Sequence, residues 1–359
     1  MASLRRAGVT VERGSATLSS PNRVTVGEGR VREGRNIVIA TGSSARRPDR
    51  FSFGDGIVCD SELLLGQAVP PRSLVILGAE EEGCELGSIF SAFGAAVSLV
   101  DRRRRLVRFV DRDLLEIFHE RLSAHGLHII NGEELEDVAI DARSSEPHAT
   151  VRLASGRQEK CDRLLVLAGR EPRTEGIDVA GLGIGYDQRG FLVVDENGES
   201  SVPGIYAVGD VTGYPFRAGP SVHQAWAAVR HMVGEAAEHT CEVPLTVYGI
   251  PEASVVGVGS DACSLLGVPC VVGATWTGDS FDHCGSHLET TRLKLIFDAD
   301  GAHLMGVQIV GPSAGELINL GSFLVGRRAS AEEISKMVFN RPSQASAYRT
   351  AALEVLSSA

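Results

Sequence analysis

Short runs of apolar residues alternate with polar residues and with Gly or Asn breaks along the first part of the chain. Over residues 8–40 this pattern predicts short strands in antiparallel pairing, within "VTVERGSATL", "RVTVGEGRVREG" and "NIVIATGS". The run Asn36 to Ala40 is almost continuously apolar, so we expect that strand to be buried on both faces. A short helix is predicted around Asp60 to Leu65.

Residues 73–170 show the alternation of strands and helices that is typical of an α/β unit. The pattern predicts, in order, a strand at 73–77, a helix at 82–94, the strand "AVSLVD", a helix at 112–125, the strand "LHIING" and strands over 147–168. A strand, a glycine turn, a helix and a second strand within about 30 residues form the βαβ unit that binds dinucleotides.

The rest of the chain changes character after about residue 243. Before that point the pattern predicts the strands "FLVVDE" and "GIYAVGDV", a loop rich in Gly and Pro, and a helix at 220–237. After it, the pattern predicts strands at 253–258, 270–276, 291–298 and 304–311 and helices at 312–326, 330–338 and 343–356. This second set is typical of a separate α+β unit.

Length, charge and cysteine content narrow the class of protein. The 359 residues suffice for two or three domains. The net charge of −11 argues against nucleic acid as the main partner, although Arg102 to Arg105 form a local basic run. None of the seven cysteines lies in a C-x-x-C pair, so we expect reduced thiols, no disulfide framework and no metal site. No apolar run is long enough for a signal peptide or a bilayer span, which predicts a soluble cytoplasmic protein without membrane contact.

The stretch "LVILGAEEEGCELG" raises the question of whether a dinucleotide still binds there. A dinucleotide-binding turn would place glycines at Gly78, at position 80 and at Gly83, but position 80 is Glu80. A carboxylate about 4–6 Å from the pyrophosphate costs around 1 kcal/mol in water and several at a lower effective dielectric. Acids also stabilise the start of a helix without any ligand. We expect the fold to persist and the affinity to be weakened.

Asp101 ends the strand that follows the predicted helix. An acid there would accept a hydrogen bond from the adenosine ribose and favour NAD, whereas Arg102 to Arg105 could bind a 2′-phosphate and favour NADP. A solvated charge run is an equally good interpretation of most of these arginines. The sequence therefore leaves the choice between NAD and NADP open.

Seven collinear stretches together resemble the flavoprotein disulfide reductase family. They are "IVIATGS", "LVILGAEEEGCELGSIFSAFG", "LAGREPRT", "GIYAVGDVTGYP", "GIPEASVVG", "LMGVQIVGPSAGELI" and "FNRPSQASAYRTAALEVL". Within the family, "GDVTGYP" and "AYRTAALEVL" look most like the soluble pyridine nucleotide transhydrogenases. The resemblance implies an α/β fold with two Rossmann-like FAD- and NAD(P)-binding domains, the first incomplete, and an α+β dimerisation domain.

The resemblance also implies domain bounds. These are a partial FAD-binding domain at 1–70, an NAD(P)-binding domain at 71–185, a return segment of the FAD-binding domain at 186–242 and a dimerisation domain at 243–359, through which we expect a homodimer. The family's opening G-x-G-x-x-G turn and redox C-x-x-x-x-C do not occur in this sequence. We expect a truncated or degraded gene, a misplaced start or a natural short form, and FAD retention is correspondingly open.

By resemblance, several residues contact cofactors. The flavin set comprises Thr41 and Gly42 of "ATGS", Gly209 and Asp210 of "VGDV", and the segment Ala218 to His223. The resemblance places Asp210 on the ribityl chain and the segment Ala218 to His223 beside the isoalloxazine ring. The nicotinamide set comprises Gly78, Gly83, Glu85, Asp101 and Gly169. The alternatives are ordinary structural roles: a Gly–Asp turn that caps a helix, a helix-surface acid at Glu85 and a strand-ending turn at Gly169.

The carboxy-terminal motif bears on the chemistry. Disulfide reductases have a His-Pro followed by a glutamate, which together shuttle protons to a dithiol, but here Arg341 precedes Pro342 and Ser346 takes the glutamate position. The resemblance therefore implies hydride transfer between NAD(H) and NADP(H) through FAD, with no catalytic side chain. Two alternatives stay open: a catalytically silent remnant that folds and dimerises without FAD, and another family reductase, such as dihydrolipoamide dehydrogenase, whose cysteines are encoded upstream.

Overall fold

The computed structural model describes residues 2–54, 56–235, 242–277 and 290–358. In this part of the chain the helices are α1 (Ala2–Arg6), α2 (Ser61–Leu65), α3 (Glu81–Ala92), α4 (Arg112–Ala124), α5 (Ala218–Met232), α6 (Ser260–Leu266), α7 (Ala314–Gly326), α8 (Ala331–Lys336) and α9 (Ala347–Ser358). The strands are β1 (Ala16–Ser20), β2 (Arg23–Val26), β3 (Arg30–Glu33), β4 (Ile37–Ile39), β5 (Ser43–Ala45), β6 (Val58–Cys59), β7 (Ser73–Leu77), β8 (Ala96–Asp101), β9 (Leu127–Asn131), β10 (Leu135–Asp141), β11 (His148–Leu153), β12 (Gln158–Cys161), β13 (Arg163–Val166), β14 (Arg170–Pro172), β15 (Ile205–Ala207), β16 (Leu245–Val247), β17 (Ala253–Gly257), β18 (Cys270–Trp276), β19 (Arg292–Asp298) and β20 (Leu304–Val310).

The chain divides into two compact units, each made from two separate stretches. The described residues of Met1–Arg46 and Gly169–His239 form the first unit, and those of Arg47–Ala168 and Thr240–Ala359 form the second. The domain bounds expected from the sequence stay a prediction, as does cytoplasmic location. No helix in the described ranges is both long and apolar enough to cross a bilayer.

The first unit contains three small sheets. Strands β1, β2 and β3 form an antiparallel meander, as predicted for this region, and β5 pairs antiparallel with β14. The prediction for β4 was wrong in two respects, because it runs parallel to β15 and its Val38 is 44% exposed. Local alternation does not specify strand direction, which the fold sets by pairing β4 with the distant β15, and Val38 lies on a face of this two-stranded sheet that the described residues leave exposed.

The predicted strand "FLVVDE" does not form as a continuous strand. Leu192 and Val194 each make only an isolated bridge, although the Leu192 side chain is buried. The Asp195 carboxylate accepts hydrogen bonds from the backbone N–H groups of Asn197 and Glu199, at 2.9 and 2.8 Å. This turn closes the chain on itself before a ladder can extend, because an Asp side chain that bonds nearby backbone competes with strand pairing.

The second unit contains a five-stranded parallel sheet in the order β6-β13-β7-β8-β9. The predicted strand at 73–77, the helix after it and the strand "AVSLVD" are confirmed as β7, α3 and β8. Strand β7 is strongly apolar because its Leu74, Val75 and Ile76 are buried within a sheet covered on both faces. The two glycines of α3, Gly83 and Gly87, allow the helix to pack close to that sheet.

The same unit contains a five-stranded antiparallel sheet in the order β16-β17-β20-β19-β18, on which α7 and α9 pack. The α+β character predicted for residues 243–359 is present in the described part of that range. Helix α9 begins at Ala347, later than predicted, because Gln344–Ser346 forms a 3₁₀ turn capped by the Ser343 side chain. The described cysteines are all free thiols, whereas Cys241 and Cys284 lie outside the described residues.

Candidate functional site

The turn between β7 and α3 has the close packing of a dinucleotide-binding turn. Gly78 has φ of +118°, and a Cβ there would lie 2.7 Å from the carbonyl oxygen of Leu167. A Cβ on Gly83 would lie 2.0 Å from the carbonyl oxygen of Gly78. Both glycines are therefore required by the backbone itself, in the roles of tight turn and close helix–strand contact that the fingerprint assigns to its outer glycines.

Glu80, at the position of the middle glycine, is the N-cap residue of α3, but its side chain does not cap the helix. Instead its carboxylate accepts a hydrogen bond from Nη1 of Arg103, and Nη2 of Arg108 lies 3.8 Å from it. The side chain is 53% exposed. The charge that we expected to face the pyrophosphate is thus paired with a cation from the segment after β8.

Asp101, at the end of β8, is almost fully buried and fully engaged. Its Oδ1 accepts hydrogen bonds from the backbone N–H and from Nε of Arg103, at 2.8 and 2.9 Å. Its Oδ2 accepts from the backbone N–H of Ala79 and from Nη2 of Arg103, both at 2.7 Å. Burial by itself would raise the pKa of Asp101, but these hydrogen bonds outweigh it and hold the pKa below its usual value.

The sequence reasoning did not single out Arg103 from its neighbours. The available signal was its spacing, because an arginine two residues after a strand-ending acid can fold back onto that acid. Hydrogen bonding to Asp101, aided by Glu80, raises the pKa of Arg103 further above its ordinary value. The three side chains Glu80, Asp101 and Arg103 therefore form one charged cluster beside the turn, which we call the turn cluster.

Glu85 makes a structural contact on α3. Its Oε1 accepts a hydrogen bond from the backbone N–H of Tyr248 at 2.9 Å. One turn further along the helix, Ser88 Oγ accepts from the backbone N–H of Ile250 at 3.0 Å. These bonds attach α3 to the segment between β16 and β17, and the predicted nicotinamide contact of Glu85 stays a prediction.

In the first unit, Asp210 lies in the 3₁₀ helix Gly209–Thr212, which follows β15 after Val208. Ser43 Oγ donates to Asp210 Oδ2 at 2.9 Å, and Arg170 Nε donates to Ser43 Oγ at 2.6 Å. Arg170 Nε also lies 3.8 Å from Asp210 Oδ2. This Arg170–Ser43–Asp210 chain fixes the carboxylate, and neither Ser43 nor Arg170 was expected from the sequence.

The other predicted flavin residues lie in the same unit. The carbonyl oxygen of Gly42 accepts from the backbone N–H of Arg173 at 3.0 Å, and Thr41 Oγ1 donates to the carbonyl oxygen of Arg173. Gly209, with φ of +77°, donates its N–H to Gln224 Oε1 of α5 at 2.7 Å. That bond holds the start of the 3₁₀ helix against α5, which begins at Ala218 and includes the half-buried His223.

The predicted site residues thus fall into two groups. The first unit holds Thr41, Gly42, Gly209, Asp210, Ala218 and His223, and the second holds Gly78, Gly83, Glu85 and Asp101. Gly169 was expected with the second group but belongs to the first unit, where its carbonyl oxygen accepts from the backbone N–H of Arg46 at 3.0 Å. Within the described ranges no group of three or more His, Cys, Asp or Glu side chains is placed to hold a metal.

The family model described as pyridine nucleotide-disulphide oxidoreductase matches residues 1–231, and the model of that family's dimerisation domain matches residues 243–352. The chain belongs to this oxidoreductase family. It is 33% identical over 333 residues to the soluble pyridine nucleotide transhydrogenase of Mycobacterium tuberculosis (strain ATCC 25177 / H37Ra), covering 90% of this chain and 68% of that relative. It is 32% identical over 356 residues to the protein of that name from Yersinia pestis (strain Pestoides F), which covers 96% of this chain and 75% of that relative.

Solved structures share the fold of this pyridine nucleotide-disulphide oxidoreductase. LpdA from Mycobacterium tuberculosis matches with a TM-score of 0.87 at 23% identity, covering 98% of this chain and 78% of that one. The HOCl-induced flavoprotein disulfide reductase RclA from Escherichia coli matches with a TM-score of 0.87 at 24% identity, covering 97% and 80%. The family and the α/β fold class predicted from the sequence are confirmed.

Membership of the pyridine nucleotide-disulphide oxidoreductases makes this an FAD-dependent oxidoreductase that uses a nicotinamide dinucleotide. The residues of the first unit suit FAD. Asp210 is fixed through Oδ2, while its Oδ1 has no hydrogen-bond partner among the described residues and the side chain is 27% exposed. A carboxylate held in this way can accept a hydrogen bond from a ribityl hydroxyl.

Proposed function

We propose that this protein transfers hydride between NAD(H) and NADP(H) through FAD, and that it does so as a homodimer formed through residues 243–359. The observation that carries the proposal is the Arg170–Ser43–Asp210 chain, which presents one carboxylate oxygen beside α5. The names of the relatives support the nicotinamide substrates. Bound FAD would supply the chemistry of taking up a hydride from one nicotinamide and giving it to another.

The protein's own contribution is binding and orientation. Asp210 would hold the ribityl chain, and the glycines of the β7–α3 turn would admit the backbone of a dinucleotide, with Gly78 setting the turn and Gly83 the helix position. Direct hydride exchange of this kind would need no general acid or base among the side chains. We therefore assign no catalytic side chain.

Dithiol chemistry receives no support from the carboxy-terminal motif. Ser346, at the position of the family's glutamate, is buried and donates its hydroxyl proton to the carbonyl oxygen of Ser343 at 2.7 Å. A hydroxyl group in that place cannot act as the carboxylate of a His–Glu pair. This observation favours the transhydrogenase over a dihydrolipoamide dehydrogenase.

The second candidate function is a protein that folds and dimerises without redox activity. The observation that favours it is Glu80, which brings a carboxylate into the turn where the fingerprint has a glycine. Both candidates predict a dimer in analytical ultracentrifugation, so that measurement does not separate them.

The decisive experiment is flavin content followed by turnover. Purified protein, incubated with FAD and desalted, should keep the visible absorbance of oxidised flavin and should reduce thio-NAD⁺ with NADPH. A colourless protein after reconstitution would overturn the proposal and leave the silent dimer. A yellow protein that does not pass hydride from NADPH to thio-NAD⁺ would confine the assignment to FAD binding.

A further inference from the structure

The acid that normally reads the adenosine ribose is not available in this protein. Each carboxylate oxygen of Asp101 already accepts two hydrogen bonds, at distances of 2.7 to 2.9 Å. An ionised carboxylate offers about four acceptor positions in all. A ribose 2′-hydroxyl would have to displace a backbone N–H or a guanidinium N–H, and neither exchange gains a charge-assisted bond.

Arg103 lies between the buried and the exposed acid of the turn cluster. Its Nε and Nη2 are bound to the buried Asp101, whereas its Nη1 faces the exposed Glu80. The side chain of Asp101 is 4% exposed, that of Arg103 32% and that of Glu80 53%. Asp101 is therefore the fixed partner that orients the guanidinium, and Glu80 is the partner that can move away into solvent.

We propose that Arg103, oriented by Asp101, is the residue that reads the ribose 2′ position, and that the turn consequently prefers NADP(H) to NAD(H). This inference rests on the proposed function only in requiring that the turn binds an adenine dinucleotide. A 2′-phosphate carries more negative charge than the Glu80 carboxylate and can take the place of that carboxylate on the guanidinium. A neutral 2′-hydroxyl cannot, so NAD(H) leaves the Glu80–Arg103 pair intact and gains nothing from it.

The test uses two probes that differ only in the group concerned: adenosine 2′,5′-bisphosphate and 5′-AMP, titrated by calorimetry into the full chain. We expect the bisphosphate to bind at least tenfold more tightly to the unaltered protein. Arg103→Met should bring the two dissociation constants within about threefold, and Glu80→Gln should widen their ratio. Arg102→Met is the matched control, because Arg102 is exposed and should keep the original ratio.

Equal affinities in the unaltered protein, tighter binding of 5′-AMP or no binding of either probe would each overturn the proposal. An unchanged ratio in Arg103→Met would also overturn it. If Arg103→Met fails to fold, Arg103→Lys replaces it. The ratio of the two dissociation constants should then fall at least threefold, because an ammonium group cannot bind phosphate bidentately. These titrations do not depend on flavin, so a colourless protein that shows the expected ratios would overturn the proposed function alone.

Discussion

Lys294 Nζ, on β19, lies 2.8 Å from Oδ2 of Asp111, the residue before α4, and the two side chains are 5% and 3% exposed. The contact joins the antiparallel sheet to a helix of the parallel-sheet part of the second unit. Asp111 Oδ2 also accepts from the backbone N–H and Oγ of Ser260, both at 2.8 Å. The pair is fully hydrogen-bonded, as a buried ion pair must be to offset its loss of hydration.

We expect Lys294→Met to lower the free energy of unfolding by about 3–5 kcal/mol, because it leaves the buried Asp111 carboxylate without its cation. Urea denaturation at neutral pH measures the change. The control is Asp113→Asn, which removes the other carboxylate bonded to Lys294, at 2.9 Å, from a side chain that is 61% exposed. Exposed ion pairs contribute at most about 1 kcal/mol, so equal losses in both variants would contradict this account.

The same carboxylate predicts a dependence of stability on pH. Burial opposes ionisation of Asp111, but the bonds from Lys294 and Ser260 outweigh it and hold its pKa below the ordinary value. The unfolded chain then binds a proton more readily, so this contribution to stability is complete above about pH 4 and is lost as pH falls through the lower folded-state pKa. Unfolding free energies measured between pH 2 and 6 should show it.

The variant Asp111→Asn serves as the reference for that titration. Its stability should fall less steeply with acid over the same interval, whatever its absolute stability at neutral pH. Parallel curves for the two proteins would show that Asp111 is not the titrating group.

Glu80→Gly should tighten NADH binding roughly twofold to fivefold, because it removes a carboxylate from the turn, and the pairing of that carboxylate with Arg103 keeps its repulsion of the pyrophosphate below about 1 kcal/mol. The backbone at Glu80, with φ of −77°, accepts glycine without rearrangement. Calorimetry with NADH is the measurement. Glu82→Gln, in the first turn of the same helix, is the control, and an unchanged affinity in Glu80→Gly would mean that position 80 does not face the phosphates.

Asp210→Asn should weaken FAD binding by about tenfold, since a carboxylate hydrogen bond worth about 1.5 kcal/mol would be replaced by a weaker one. Flavin retained after gel filtration at a fixed FAD concentration measures the effect. Glu175→Gln is the control, because Glu175 is an exposed acid of the same unit. Equal flavin content in both variants would remove Asp210 from the FAD site.

The sequence predicted some elements better than others. The run Leu74 to Leu77, the Gly78 turn and the helix after it were located correctly, because a buried parallel strand is apolar throughout and a tight turn needs glycine. The "FLVVDE" segment was not, because Asp195 closes a turn that its apolar pattern does not reveal. Apolar periodicity records burial and carries no information on which backbone groups pair.

Local sequence alone determined the βαβ unit, the positions of its required glycines and the family to which the chain belongs. Tertiary structure decided which partners the charged groups take. Glu80 and Arg103 are 23 residues apart, and Lys294 of β19 meets Asp111 at the start of α4. A charge run such as Arg102 to Arg105 specifies no partner, because an ion pair forms only where the fold brings two side chains within a few ångströms, and burial then decides how strong the interaction is.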